Sequence, residues 1–242
     1  MNAAAIDQTS IYTQITEAGK NGEGLLSILI DPENVAPGQV ITYVKRLPSR
    51  TTHLLVGGST ASRLQTRQVV EELKEYTEIP VILFPGSYEQ VTPMADALLF
   101  LSLLSGRNPE YLIGQQVKAV PELKKMSIEI IPTAYLLIDG GKMSSVERES
   151  GTRAMCTTNV ESIVNTALAG QFLGKKLIYL EAGSGALNPL PKAVVQAVSE
   201  AVNIPIIVGG GIKNSTEIEA FYSAGAAMVV VGTAFEKNRF TN

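Results

Sequence analysis

Eight short apolar runs punctuate the chain, at residues 25–30, 53–58, 81–86, 97–102, 129–138, 176–183, 204–211 and 228–232. Each is rich in Ile, Val and Leu and is nearly continuous in hydrophobicity. A strand with one wet face alternates, whereas a strand covered on both faces does not, so the pattern predicts a parallel sheet buried between layers. Between most of the runs lie segments with helical spacing. Residues 59–76 carry Leu64, Val69, Val70 and Leu73, and 159–172 begin at a capping Asn and carry Val160, Ile163, Val164, Ala167 and Leu168. A further helix follows the fourth run at 109–123, another at 191–202 opens with Pro in its first turn, and a last one at 215–224 begins with a capping-box pattern at Ser215. Residues 87–96 are too few for a crossover helix. Strands alternating with helices in this number predict an α/β fold, a single (β/α)8 TIM barrel over 1–242. Its third βα unit is degenerate, and a helical extension precedes it over 5–20. The polar stretch 139–159 follows a strand and exceeds an ordinary barrel loop, which assigns it to the catalytic face.

Composition narrows the partners. The 242 residues contain 45% hydrophobic and 18% charged side chains, with Lys and Arg totalling 20 against 23 Asp and Glu. No basic stripe is visible, so the sequence argues against a nucleic-acid partner. The single cysteine, Cys156, excludes an internal disulfide and suits a reducing cytoplasm. The first residues lack a basic start followed by an apolar core, and no apolar stretch approaches the ~20 residues that cross a bilayer. A peripheral membrane contact stays open.

In such a barrel the acting residues lie at the C-terminal ends of strands. The seventh run ends in Gly209-Gly210-Gly211 and the eighth in Gly232-Thr233, so bare backbone amides from adjacent strands meet at one spot. The next helix start adds unpaired donors, which makes a phosphate site; tight βα turns are the structural alternative. Asp31 ends the first strand and Ser59 the second. A carboxylate with a hydroxyl nearby is enough for Mg²⁺ when substrate phosphates complete its octahedron, although Asp-Pro also marks an ordinary turn. Glu181 follows an apolar run, where partial burial would raise its pKa toward base work near neutrality; a salt bridge to Lys142 or Lys213 is the plainer reading. Tyr179 shares its side of the strand by the period of two, as a hydrogen-bond donor or as a core residue. His53 starts a strand at the wrong end for chemistry, and Cys156 has no partner base. These features alone leave open another phosphate-handling barrel, such as an isomerase or lyase, and a non-catalytic phosphate-binding barrel.

As a set, LIDPEN, VGGSTAS, VILFPGS, ADALLFLSLLSGRNPEYLIGQQV, YLEAGSGA, VGGGI and VVVGTAFE resemble the geranylgeranylglyceryl phosphate synthases, in family order from about Leu25 to Glu236. The resemblance is to the archaeal-type branch, also found in some bacteria; Leu29 stands where the branch of heptaprenylglyceryl phosphate synthases carries Lys. It implies a Mg²⁺-dependent prenyltransferase that alkylates the C3 hydroxyl of sn-glycerol 1-phosphate with a prenyl diphosphate, an early step of ether-lipid synthesis. By motif, Asp31 and Ser59 match the metal positions. Tyr179, Leu180, Glu181, Ala182, Gly183, Ser184, Gly185, Gly210, Gly211, Gly232 and Thr233 match the glycerol-phosphate site, with Glu181 taking the hydroxyl proton. The resemblance also implies a homo-oligomer, a dimer or hexamer. The degenerate third unit, with Phe84, Met94, Leu98 and Phe100, is expected to open the wall for the prenyl tail, with ordinary core packing of those residues as the alternative.

Overall fold

The computed structural model describes residues 10–36 and 38–241. Strands β1 (Leu25–Ile30), β2 (Thr51–Val56), β3 (Val81–Leu83), β4 (Ala97–Leu103), β5 (Glu129–Leu137), β6 (Leu177–Glu181), β7 (Ile206–Gly209) and β8 (Met228–Val231) close into one barrel in sequence order, every pair parallel. Helices α1 (Ile11–Asn21), α2 (Val40–Arg46), α3 (Arg63–Tyr76), α4 (Gln115–Leu123), α5 (Ser145–Ser150), α6 (Val160–Phe172), α7 (Lys192–Ala201), α8 (Ser215–Ser223) and α9 (Thr233–Glu236) accompany them.

The runs lack alternation because both faces of each strand are buried. One set of strand side chains, including Leu26, Leu54, Leu83, Leu136, Ile178 and Val208, packs outward against the helices. The other, including Leu55, Ile82, Leu99, Tyr135, Tyr179 and Ile207, fills the barrel. Ile11 and Ile15 of α1 join that interior group, so α1 stoppers the barrel. Glu129 holds α1 there, with Oε2 accepting from Ile11 N at 2.7 Å and Oε1 from Tyr12 N at 3.1 Å, at the helix end where a negative charge is favoured. The predicted extension over 5–20 is thus a helix from Ile11, and its residues 5–9 lie outside those described.

Two helix starts differ from expectation. Asn214, not Ser215, caps α8, its Oδ1 accepting from Glu217 N at 2.9 Å. Pro191 is the cap residue of α7 rather than its first helical residue. The third βα unit has no helix. Gln90 replaces its tie to the barrel: its buried Nε2 donates to Gly58 O (2.9 Å) and Ala61 O (2.8 Å), and its Oε1 accepts from Gly86 N (3.0 Å). Beyond Leu83↔Leu98 the β3–β4 ladder ends while β4 continues to Leu103, leaving a seam in the wall.

Replacing Gln90 with Leu strands those three backbone groups, and each costs about 1–3 kcal/mol when buried without a partner. A loss of at least ~2 kcal/mol in denaturant unfolding is expected; an unchanged midpoint contradicts the tie. His53 gives a second test. It lies inside β2 with Nδ1 3.0 Å from Thr52 Oγ1 and Nε2 unpartnered, and burial lowers its pKa from 6.5 to about 4. The unfolded chain then binds the proton first, so stability is lost as pH falls from about 6.5 toward about 4, by about 3 kcal/mol at most from this residue. His53→Gln should flatten that part of the profile; an identical slope in both proteins removes His53 as its source.

Candidate active site

A cavity of about 590 Å³ opens at the C-terminal mouth of the barrel. Asp31, Ser59, Tyr179, Glu181, Ser184, Gly185, Gly210, Gly211, Gly232 and Thr233 all line it. Leu180, Ala182 and Gly183 are not among the lining residues. The strand period turns Leu180 and Ala182 outward into the helix-facing core, and Gly183 serves the site through its amide instead.

On one side, Asp31 caps the 3-10 turn Pro32–Asn34, its Oδ1 accepting from Glu33 N at 3.0 Å. Its own amide donates to Glu236 Oε1 at 3.1 Å, and Asn34 Nδ2 donates to Glu236 Oε2 at 3.2 Å. Gly58 lies so close to the Asp31 carboxylate that a Cβ there would collide with it, and a Cβ on Gly86 would lie 2.9 Å from Ser59 Cα. The glycines of VGGS and FPGS therefore let three loop ends converge. Burial raises the pKa of both Asp31 and Glu236, with nearby carboxylates adding to it, and neither makes an ion pair with Lys or Arg among the described residues. Among the described residues only the other oxygen, Oδ1, accepts a hydrogen bond; Oδ2 takes none. A half-buried, uncompensated carboxylate with one free oxygen, beside a serine, fits a hard cation whose remaining ligands come from substrate and water. Among the described residues there is no group of three or more His, Cys, Asp or Glu side chains suited to hold a metal alone.

At the centre stands Glu181. Its side chain is buried, Oε1 accepts from Gly183 N at 2.6 Å, and desolvation raises its pKa to about 7 against the lowering effects of that amide and of Tyr179. The Tyr179 hydroxyl lies near enough to influence Glu181, yet no hydrogen bond of normal geometry joins them and the hydroxyl has no partner. A Cβ on Gly209 would sit 2.5 Å from Tyr179 Oη and 2.8 Å from Glu181 Oε2, and one on Gly210 would strike Glu181 Oε1. No ion pair joins Glu181 to Lys142 or Lys213 among the described residues, so the carboxylate is not a salt-bridge partner of either.

Along the rim between Glu181 and Asp31 lies the glycine cradle, since β7 and β8 stand between β6 and β1. Gly210 and Gly211 adopt φ of 89° and 73°, a region closed in practice to other side chains. Ser184 Oγ and Thr233 Oγ1 meet at 3.2 Å and tie the β6 and β8 loops together. In the helix after β7 the Glu217 amide is taken by the Asn214 cap and the Ser215 amide by Thr241 O, whereas α9 is entered at Gly232 with no side-chain cap and offers its first amides. Lys142, Lys213, Lys237 and Arg239 supply positive charge along the cavity wall. Arg148 and Arg153 are not among the lining residues.

An apolar arm runs from the centre to the β3–β4 seam. Phe84, Leu98, Leu99, Phe100 and Leu101 line it from both faces of β4, with Val91 and Ala119 behind. Met94 is exposed and is not among the lining residues, because the segment after β3 follows Gln90 inward and carries Met94 away. At the inner end Phe84 stacks on Tyr179 (4.8 Å between centroids), and Tyr135 stacks on Tyr179 (5.5 Å).

A profile of the PcrB family matches residues 23–241. A geranylgeranylglyceryl phosphate synthase of Zunongwangia profunda is 52% identical over 230 residues, covering 95% of this chain and 98% of that protein. One from Flavobacterium johnsoniae is 48% identical over 231 residues, covering 95% of each. Among solved structures, the (S)-3-O-geranylgeranylglyceryl phosphate synthase of Thermoplasma acidophilum in complex with its substrate sn-glycerol-1-phosphate superposes with a TM-score of 0.89 at 35% identity, covering 95% of this chain and 92% of that one. The match runs through the barrel and every loop that builds the cavity, and the chain belongs to the PcrB family.

Proposed function

We propose that this protein transfers a geranylgeranyl or similar prenyl group from its diphosphate to the C3 hydroxyl of sn-glycerol 1-phosphate, with Mg²⁺. The observation that carries the reading is the order of parts in one cavity: a free carboxylate at Asp31, a desolvated Glu181, and a glycine cradle, with an apolar arm leaving between the first two. Two anionic reactants and an apolar tail match that order, and the relatives' names and the Thermoplasma acidophilum complex support it.

The chain's own residues divide the work. The cradle around Gly210, Gly211, Gly185 and Thr233 holds the phosphate monoester and aims the glycerol inward. Asp31 and Ser59 would hold the cation, and Mg²⁺ bound there would supply Lewis-acid stabilisation of the negative charge on a diphosphate. Phe84 and its neighbours keep water from the allylic carbon, and the Phe84 ring face tolerates positive charge developing beside it. The glycerol C3 oxygen attacks C1 of the prenyl chain, the C1–O bond to diphosphate breaks, and Glu181 takes the hydroxyl proton. Fixing both reactants in line removes several kcal/mol of the barrel-free barrier, of the order known for oriented intramolecular reactions. The same reading makes the protein a cytoplasmic homo-oligomer; exposed Ile113, Val117 and Val120, one helical face, support contact with a second copy.

The direct test is incubation with sn-glycerol 1-phosphate, labelled geranylgeranyl diphosphate and Mg²⁺. A labelled ether and pyrophosphate are expected; neither forming refutes the reading. Glu181→Gln should lower kcat by about 10²–10⁴-fold while glycerol-phosphate affinity changes little. In the wild type kcat/KM should rise with pH through about 7, as the carboxyl loses its proton. A flat profile, or near-normal turnover in the variant, takes the base role from Glu181. Chelation should abolish turnover and Mg²⁺ should restore it, with Asp31→Asn needing much more metal; full activity in chelator contradicts the metal assignment.

A further inference from the structure

The long segment after β5 has no part in the chemistry so far, yet it is fastened to the site. Leu187 N and Asn188 N donate to Gly140 O at 3.0 and 3.1 Å, and a Cβ on Gly183 would lie 2.8 Å from Ser144 Cβ. Gly141 takes φ of 88°, which turns the chain sharply between these anchors. The turn delivers Lys142 to the cradle: a Cβ on Gly185 would lie 3.2 Å from Lys142 Nζ and 3.7 Å from Thr233 Oγ1. The ammonium therefore stands at the point where the β6 and β8 loops are tied through Ser184 and Thr233.

Lys142 makes no ion pair or hydrogen bond among the described residues. Lys237 and Arg239 line the same cavity from the segment after α9, on the β8 side, whereas two other cations nearby are engaged. Lys213 Nζ donates to Leu187 O at 3.2 Å, and Arg148 of the same loop donates to Ser145 Oγ at 2.9 Å. A positive group held over a concave set of bare amides, with no anion of its own, is suited to a doubly charged oxyanion, since charge-assisted hydrogen bonds outweigh amide contacts alone. Asp31 ends β1 beyond α9, with its amide on Glu236; Lys142 reaches the cradle from the β5–β6 side at Gly185, so the anion it meets is the one seated in the cradle, the acceptor's phosphate.

We infer that Lys142 is a binding residue for the phosphate monoester of the acceptor, clamping it from the β5 loop against the Gly185–Thr233 side of the cradle. The assignment rests on the prenyl-transfer reading for the identity of the acceptor, but not for the binding of phosphate itself. The test compares wild type, Lys142→Met and Lys142→Arg, by calorimetric titration with inorganic phosphate and with sn-glycerol 1-phosphate, and by steady-state KM for each substrate. Because Lys142 is exposed and unbonded, the variants should melt within a degree or two of wild type. In Lys142→Met the affinity for both phosphate probes should fall about 10- to 100-fold and the KM for glycerol phosphate should rise in step. The KM for the prenyl diphosphate should stay within about twofold, and Arg should recover most of the loss. Unchanged phosphate affinity overturns the assignment, as does a loss confined to the diphosphate. A wild type that binds phosphate through Lys142 but transfers no prenyl group leaves the assignment standing and refutes the functional reading instead.

Discussion

A carboxylate kept out of water is the constraint around which the mouth of this barrel is arranged. Glu181 ends β6 on the inner side, and a closed sheet leaves it no route to solvent except through the cavity. Burial of that kind costs free energy whenever the group is charged, and the protein offsets only part of it with the Gly183 amide. Gly209 and Gly210 have no side chains because the Glu181 oxygens and the Tyr179 hydroxyl occupy the space a Cβ would need. The pleat parity of β6, the glycine run after β7 and the raised pKa are three consequences of one placement.

The same logic extends to the end of β1. Asp31 and Glu236 are joined through the Asp31 amide, and burial pushes both toward neutrality, opposed at Glu236 in small part by the Lys237 charge. Three carboxyl groups held uncomfortably at one end of the barrel are destabilising as structure and are useful only as a site. The other end shows the contrast. There α1 stoppers the barrel with Ile11 and Ile15, its first amides are satisfied by Glu129, and the fold is settled. The seam beyond Leu83 is the remaining departure from a regular barrel, and Gln90 shows how the missing helix is replaced without orphaned backbone groups.

The strands were legible because parallel strands covered on both faces leave continuous runs, and β1 coincides with its run residue for residue. Helices with strong caps and long apolar stripes, such as α3 and α6, were legible for the same local reasons. Short elements were not: α2 and α5 span too few residues to establish a period, although the Ser144–Glu147 capping box of α5 was there to be read. Asp31, Ser59, Glu181 and the glycines stand at strand ends, the position that nominated them, and the structure brings them to one cavity. Glu236 and Gln90 were missed because their partners are distant in sequence, Glu236 bonding a residue 205 positions away. Leu180 and Ala182 belong to the same contiguous motif, and the strand period turns their side chains outward while their neighbours face the cavity.

The relation between Glu181 and the two reactants decides the mechanism, and a crystal structure with sn-glycerol 1-phosphate and an unreactive prenyl thiodiphosphate measures it directly. A Glu181 oxygen is expected at about 3 Å from the glycerol C3 hydroxyl, with the diphosphate on the Asp31 wall and the tail in the β3–β4 seam. A hydroxyl turned away from Glu181, or a diphosphate seated in the glycine cradle, would contradict that mechanism.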